Sequence, residues 1–130
     1  MKTARRLILL AAIVLFLAGL THTLGYKFVA PVLVKSSLPA NVTEALKGVW
    51  LIYSAHLILL SVVIVWISRL PGTRSLVLFL ALFPVSDGVF MYHFVGPFIG
   101  LYMVSTAAVL LLIGGWLLPR SEISPPPRQP

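Results

Sequence analysis

The chain has 130 residues, 59% of them hydrophobic and 10% charged, with a mean hydropathy of +1.03. A soluble domain is about 45–50% apolar and about 25% charged, so this composition excludes an ordinary soluble globule, and it is far too apolar for a disordered chain. No cysteine is present, which excludes disulfides, iron–sulfur clusters, thiolate zinc and cysteine nucleophiles. The net charge of +7 is not a nucleic-acid signature, because the ten Lys and Arg residues stand scattered at the ends of apolar runs without interleaved aromatics.

In chain order, residues 7–26 are free of charge, and so are residues 48–68. A spanning helix needs about 20 such residues, and both runs qualify. After Arg74 the only charge as far as Pro119 is Asp87, a stretch too long for one helix and right for two. Gly96-Pro97 divides it, since glycine ends a helix readily and proline fits the first turn of the next. The predicted helices cover 6–26, 42–68, 74–94 and 97–118, an all-α four-helix transmembrane bundle within residues 1–120. The first run has the basic start and apolar centre of a signal peptide, but no small-x-small cleavage site follows, and retention as a helix is expected. Residues 121–130, with Pro125-Pro126-Pro127, are expected to be a disordered tail.

Lys and Arg set the orientation. Lys2, Arg5, Arg6, Arg69, Arg74, Arg120 and Arg128 fall on one side; Lys27, Lys35 and Lys47 fall on the other. This asymmetry predicts both termini in the cytoplasm. The outer stretch 27–47 is too apolar for a plain linker, and Phe28–Val34 is expected to lie in the headgroup layer or to cap the bundle. Asn41-Val42-Thr43-Glu44 has the form of a capping box at the start of helix two. Its Asn-Val-Thr is also a glycosylation sequon, which in a bacterial protein would be a chance match. Trp50, Tyr53, Tyr26 and Tyr92 are assigned to the outer interfacial belt, and Trp66 and Trp116 to the inner one.

Ionisable groups in hydrocarbon are costly and point to function. Here they are His22, His56, Asp87 and His93. At about 1.5 Å per residue, His22 lies about 7 Å, His56 about 13 Å and Asp87 about 10 Å below the outer surface, with His93 close to it. All four fall in the outer half of the membrane. Helical spacing groups Ala11, Leu15, Ala18, His22 and Gly25 on one face of helix one; Val49, Tyr53, His56 and Leu60 on one face of helix two; and Phe83, Pro84, Asp87 and Met91 on one face of helix three. Asp87 and His93 are six residues apart and do not share a face. The expected ligand-binding set is therefore His22, Tyr53, His56, Asp87 and His93.

Two chemistries are open to these groups. The histidines can be neutral imidazoles bonded within the bundle, or axial ligands of a haem between helices. No compact metal motif such as H-E-x-x-H occurs, and no metal site is predicted. Asp87 is either a hydrogen-bond partner of a neighbouring histidine or serine, or a proton-exchanging group in a lipophilic pocket. The serines lie mid-helix with no base in sequence reach, and no nucleophile elbow or phosphate loop occurs, so hydrolase chemistry is not expected. In helix four, Gly96, Gly100, Ala107 and Gly114 mark a stripe of small residues, with Gly96 to Gly100 in G-x-x-x-G spacing, for packing within the bundle or against a second copy.

The basic start with Arg5 and Arg6, the segment Leu17-Ala18-Gly19-Leu20-Thr21-His22 closing helix one, and Met91-Tyr92-His93-Phe94-Val95-Gly96-Pro97-Phe98-Ile99-Gly100 together resemble the small bacterial DoxX-like four-helix membrane proteins, in an uncharacterised branch. The resemblance implies a multi-pass protein of the bacterial inner membrane and a lipophilic redox partner such as a quinone. The expected function is a small membrane protein that binds a lipophilic molecule, or an accessory subunit, through an outer-half polar pocket. The alternatives are a redox subunit or enzyme using haem or quinone, and a structural partner docking through helix four onto another membrane protein or a second copy. Apart from the lipid bilayer and such partners, no nucleic acid is expected.

Overall fold

A computed structural model describes residues 2–120; the predicted disorder of 121–130 falls outside them. Four helices run in series: α1 (Lys2–Val34), α2 (Ala40–Ile67), α3 (Arg74–Phe94) and α4 (Ile99–Trp116). The described residues are 84% helical and contain no strand. Each helix is long and apolar enough to cross a membrane. The chain is thus a four-helix bundle of a multi-pass membrane protein.

Short connections make neighbours antiparallel. α1 is the hub: it packs extensively on α2 and on α4, α4 packs on α3, and α2 barely touches α3. Small residues permit these approaches. A Cβ on Gly19 would come 2.7 Å from Ile58 of α2; one on Gly114 would come 2.8 Å from Ile8 of α1. One on Gly115 would meet Leu78 of α3 at 2.9 Å. Ile8, Leu15, Leu57, Ile64, Val104 and Leu111 fill the core between them. The predicted face of α1 is correct: Ala11, Leu15 and Ala18 are buried, and His22 and Gly25 half-buried.

Several predicted boundaries need correction. α1 does not end at Tyr26 but runs two further turns to Val34, with Pro31 inside it. The absence of charge measures a membrane crossing, not a helix. Lys27 does not interrupt helical geometry, and Val29, Ala30 and Leu33 are half-buried opposite the start of α2, where Thr43 is buried. Phe28–Val34 therefore neither folds over the bundle nor forms a separate interfacial segment. Thr21 of α1 and Ile99 at the start of α4 line the same cavity, so the α1–α2 hairpin extends about 20 Å past the level where α4 begins.

The capping box is not formed. α2 starts at Ala40 behind Pro39, whose carbonyl accepts from Val42 and Thr43, with no side-chain cap. Glu44 instead pairs with Lys47 at 2.6 Å. At the α3–α4 turn, Gly96 adopts φ +86° and its N–H reaches back to the Met91 carbonyl. That left-handed conformation suits glycine. Pro97 stays outside α4, which begins after Phe98. Gly96 thus terminates a helix rather than packing one, and a Cβ there would meet nothing. The G-x-x-x-G spacing straddles a turn and makes no helix-packing face.

Candidate functional site

The polar groups gather at the end of the bundle opposite the termini. α1 brings His22, α2 brings Trp50, Tyr53, Ser54 and His56, and α3 brings Asp87. His22 Nδ1 lies 2.9 Å from Ser54 Oγ, and Ser54 Oγ lies 3.1 Å from the Trp50 carbonyl. A serine has one hydroxyl hydrogen. Where the serine gives it to the carbonyl, His22 Nδ1–H donates to Ser54 and Nε2 is left to accept; where the serine gives it to Nδ1, Nε2–H is a donor. The Trp50 indole stacks on His22 at 4.0 Å, and its Nε1 donates to the His22 backbone carbonyl at 2.7 Å. This network joins α1 to α2 through one ring, one hydroxyl and one carbonyl. It also places a histidine beside a serine, which sequence spacing did not show.

Tyr53 links this network to a second one. Its ring meets His22 edge-on at 5.1 Å and lies 6.0 Å from His56. His56 Nε2 stands 3.4 Å from Asp87 Oδ2. The Tyr53 hydroxyl faces the Asp87 carboxyl, yet neither Tyr53 Oη nor Asp87 Oδ2, both buried, completes a well-aligned hydrogen bond, with His56 Nε2 the nearest ion-pair partner of that oxygen. Other hydroxyls in the spans behave differently: Thr21, Thr23 and Ser61 bond carbonyls of their own helices. Within hydrocarbon, an unsatisfied polar atom costs several kcal/mol, so the Tyr53–Asp87 pair marks a built polar spot.

A cavity of about 170 Å³ adjoins it. All four helices contribute: Ala18 and His22, Trp50 and Tyr53, Met91, and Val104, with Phe98 at the turn. Phe98 packs so tightly over Gly100 that a Cβ there would come 2.5 Å from its ring. Gly100 therefore seats the phenyl ring rather than a neighbouring helix.

The structure divides the five expected site residues. His22 and Tyr53 line the cavity, His56 and Asp87 pair beside Tyr53, and His93 does not join them. It is exposed, set edge-on against Phe94 at 4.7 Å, and opens onto a separate groove between α3 and α4. Its position six residues after Asp87 turns it away from that face. Of the other predicted faces, Val49 is 61% and Phe83 41% exposed, so neither belongs to the interior. Trp50, assigned only to the interfacial belt, lines the cavity beside Tyr53, which was expected there. Trp50, Tyr53, Ser54 and Leu57 follow i, i+3, i+4, i+7 spacing, and that pattern was the available signal for Trp50 and Ser54. Among the α4 residues, Ala107 and Gly114 are buried against the bundle as expected.

Haem does not fit between the two histidines. α1 and α2 are in contact at Gly19, Ser54 and Ile58, His22 Nδ1 is engaged by Ser54, and the Tyr53 ring is a close neighbour of both imidazoles. Among the described residues, no three His, Asp or Glu side chains gather as a metal site. Comparison with protein-family models, curated proteins and solved structures finds no match for the chain.

Proposed function

We propose that this protein binds a lipophilic small molecule bearing a hydroxyl group, held in the cavity at the His22–Tyr53 end of the bundle. The supporting observation is an under-satisfied polar cluster: Tyr53 Oη and Asp87 Oδ2 are buried and face each other, neither completes a well-aligned hydrogen bond, and His56 Nε2 stands 3.4 Å from the carboxyl oxygen. A ligand hydroxyl accepts from the tyrosine and donates to the carboxylate, answering both. His22 Nε2 is a further polar atom at the wall, and Trp50, Leu57 and Met91 suit an apolar body. Entry is lateral, between α2 and α3, where packing is sparse and the His56 side chain is 34% exposed.

Under the same proposal the protein resides in a bacterial inner membrane as a DoxX-like protein, with both termini cytoplasmic and the cavity near the outer leaflet. The distribution of Lys and Arg supports that orientation. An accessory-subunit role has separate support in the overshooting hairpin tip, where Phe28, Val32 and Val34 are more than 60% exposed.

The test is mass spectrometry of molecules retained by the detergent-purified protein. A hydroxyl-bearing lipophile enriched over the membrane extract is expected, with retention reduced in Tyr53→Phe and in Asp87→Asn. Retention of bulk lipid only, or equal retention by both variants, overturns the reading.

A further inference from the structure

A second cavity lies at the other end of the molecule and on its outer surface. It is a groove of about 410 Å³ between α1 and α2. Ala12 and Phe16 form one wall, Val62 and Val65 the other, and Trp66 and Arg69 stand at its mouth. From Ser61 to Arg69 it follows α2 for about 12 Å, close to the half-thickness of a hydrocarbon core of about 30 Å. Its floor makes no polar demand, since the Ser61 hydroxyl is bonded to the Ile58 carbonyl at 2.7 Å.

We propose that this groove binds one acyl chain of an anionic phospholipid, with the Arg69 guanidinium holding the phosphate. Arg69 is the only Lys or Arg that lines the groove, and three observations on charge favour it. Its side chain has no ion pair or hydrogen bond among the described residues. Arg74, its neighbour across the α2–α3 turn, is engaged: it donates to the Leu118 carbonyl at 3.2 Å and stacks on Trp116. The same end of the bundle carries Lys2, Arg5, Arg6 and Arg120, and no Asp or Glu among the described residues. An anion is therefore attracted there by several cations, and in the groove itself it meets the uncommitted Arg69 guanidinium, whose planar fork matches phosphate oxygens. Trp66 lies where an indole favours the headgroup boundary. The larger groove between α3 and α4 lacks this character, because its polar lining is Tyr92, His93, Tyr102 and Ser105, with no Lys or Arg.

The full chain, delipidated in detergent, is titrated in native mass spectrometry with phosphatidylglycerol or with phosphatidylcholine of identical acyl chains. Phosphatidylglycerol is expected to form a one-to-one adduct at about tenfold lower concentration, the scale of one charge-assisted hydrogen-bonded pair. Arg69→Gln abolishes that preference, and Val62→Trp, at a surface position that fills the groove, weakens both lipids. Arg5→Gln, outside the groove, retains the preference, and inorganic phosphate does not displace the adduct. Equal uptake of the two lipids, a preference that survives Arg69→Gln, or displacement by phosphate alone overturns the proposal. Tyr53→Phe and Asp87→Asn leave this binding unchanged, so the two sites stand or fall separately.

Discussion

His56 Nε2 lies 3.4 Å from Asp87 Oδ2, and the pair joins two helices that otherwise have little in common. α2 and α3 are linked by a short turn at the basic end, yet their bodies are held together chiefly through α1 and α4. The histidine–carboxylate contact thus bridges a seam. It lies about 17–20 Å from the turn, counted along either helix, where the turn itself no longer constrains the separation.

Removing one member of this pair is expected to cost more than removing both. His56→Ala leaves Asp87 without its imidazole inside the bundle, and destabilisation of about 1–3 kcal/mol is the scale for an orphaned buried polar group. The double variant His56→Ala/Asp87→Leu leaves no buried carboxyl without its imidazole and should recover much of the loss. Thermal unfolding in detergent, followed for the single and double variants, measures the difference. A double variant less stable than His56→Ala would refute this account of the seam.

Tyr53→Phe separates binding from folding. The tyrosine hydroxyl is buried without completing a well-aligned hydrogen bond, so its removal should leave the unfolding midpoint unchanged or slightly raised, within about 1 kcal/mol. Ligand retention should nevertheless fall. A lowered midpoint together with unaltered retention would assign the hydroxyl a purely structural role.

Two glycines with opposite surroundings give opposite expectations. Gly114→Ala places a Cβ 2.8 Å from Ile8 and 3.2 Å from the Ala4 carbonyl. The α1–α4 interface must then open, at a cost of about 1–3 kcal/mol. Gly48→Ala in α2 meets nothing within 4 Å and should stabilise the helix by about 0.5–1 kcal/mol. Unfolding midpoints of the two variants should move in opposite directions.

Gly96→Ala tests the α3–α4 turn. The residue holds φ +86° with open space around it, so the substitution costs backbone strain alone, about 1–2 kcal/mol. Because Phe98 follows two residues later and covers the cavity, ligand retention should drop with it. Gly96→Asn, which tolerates the left-handed region better, should lose less of both.

The proposed orientation is open to a direct check. Reporter fusions after residue 120 and within the turn at residues 35–39 should report cytoplasmic and external locations, respectively. The reverse pattern would place the cavity in the inner leaflet and the Arg69 groove in the outer one.

The number of helices and the relative heights of His56 and Asp87 were readable in the chain. Charge-free runs of crossing length leave few alternatives in hydrocarbon, and the constant rise of a helix turns residue counts into heights. That is why His56 and Asp87, predicted at similar depth, meet in the fold. Helical spacing likewise gave the buried face of α1 correctly, because a run of alanine and glycine differs from its leucine-rich surroundings.

Which helices are neighbours, and which aromatic rings face inward, came only from the tertiary structure. In a lipid-exposed bundle both the outer and inner faces are apolar, so hydrophobic periodicity does not say which side meets protein. α4 illustrates this, being apolar all round yet packed on α1 and α3. The same ambiguity sent Trp50 to the interface in the sequence reading and stacked it on His22 in the fold. Length and charge determine where a chain crosses a membrane; close contact among small residues, met only when the helices pack, decides what those crossings enclose.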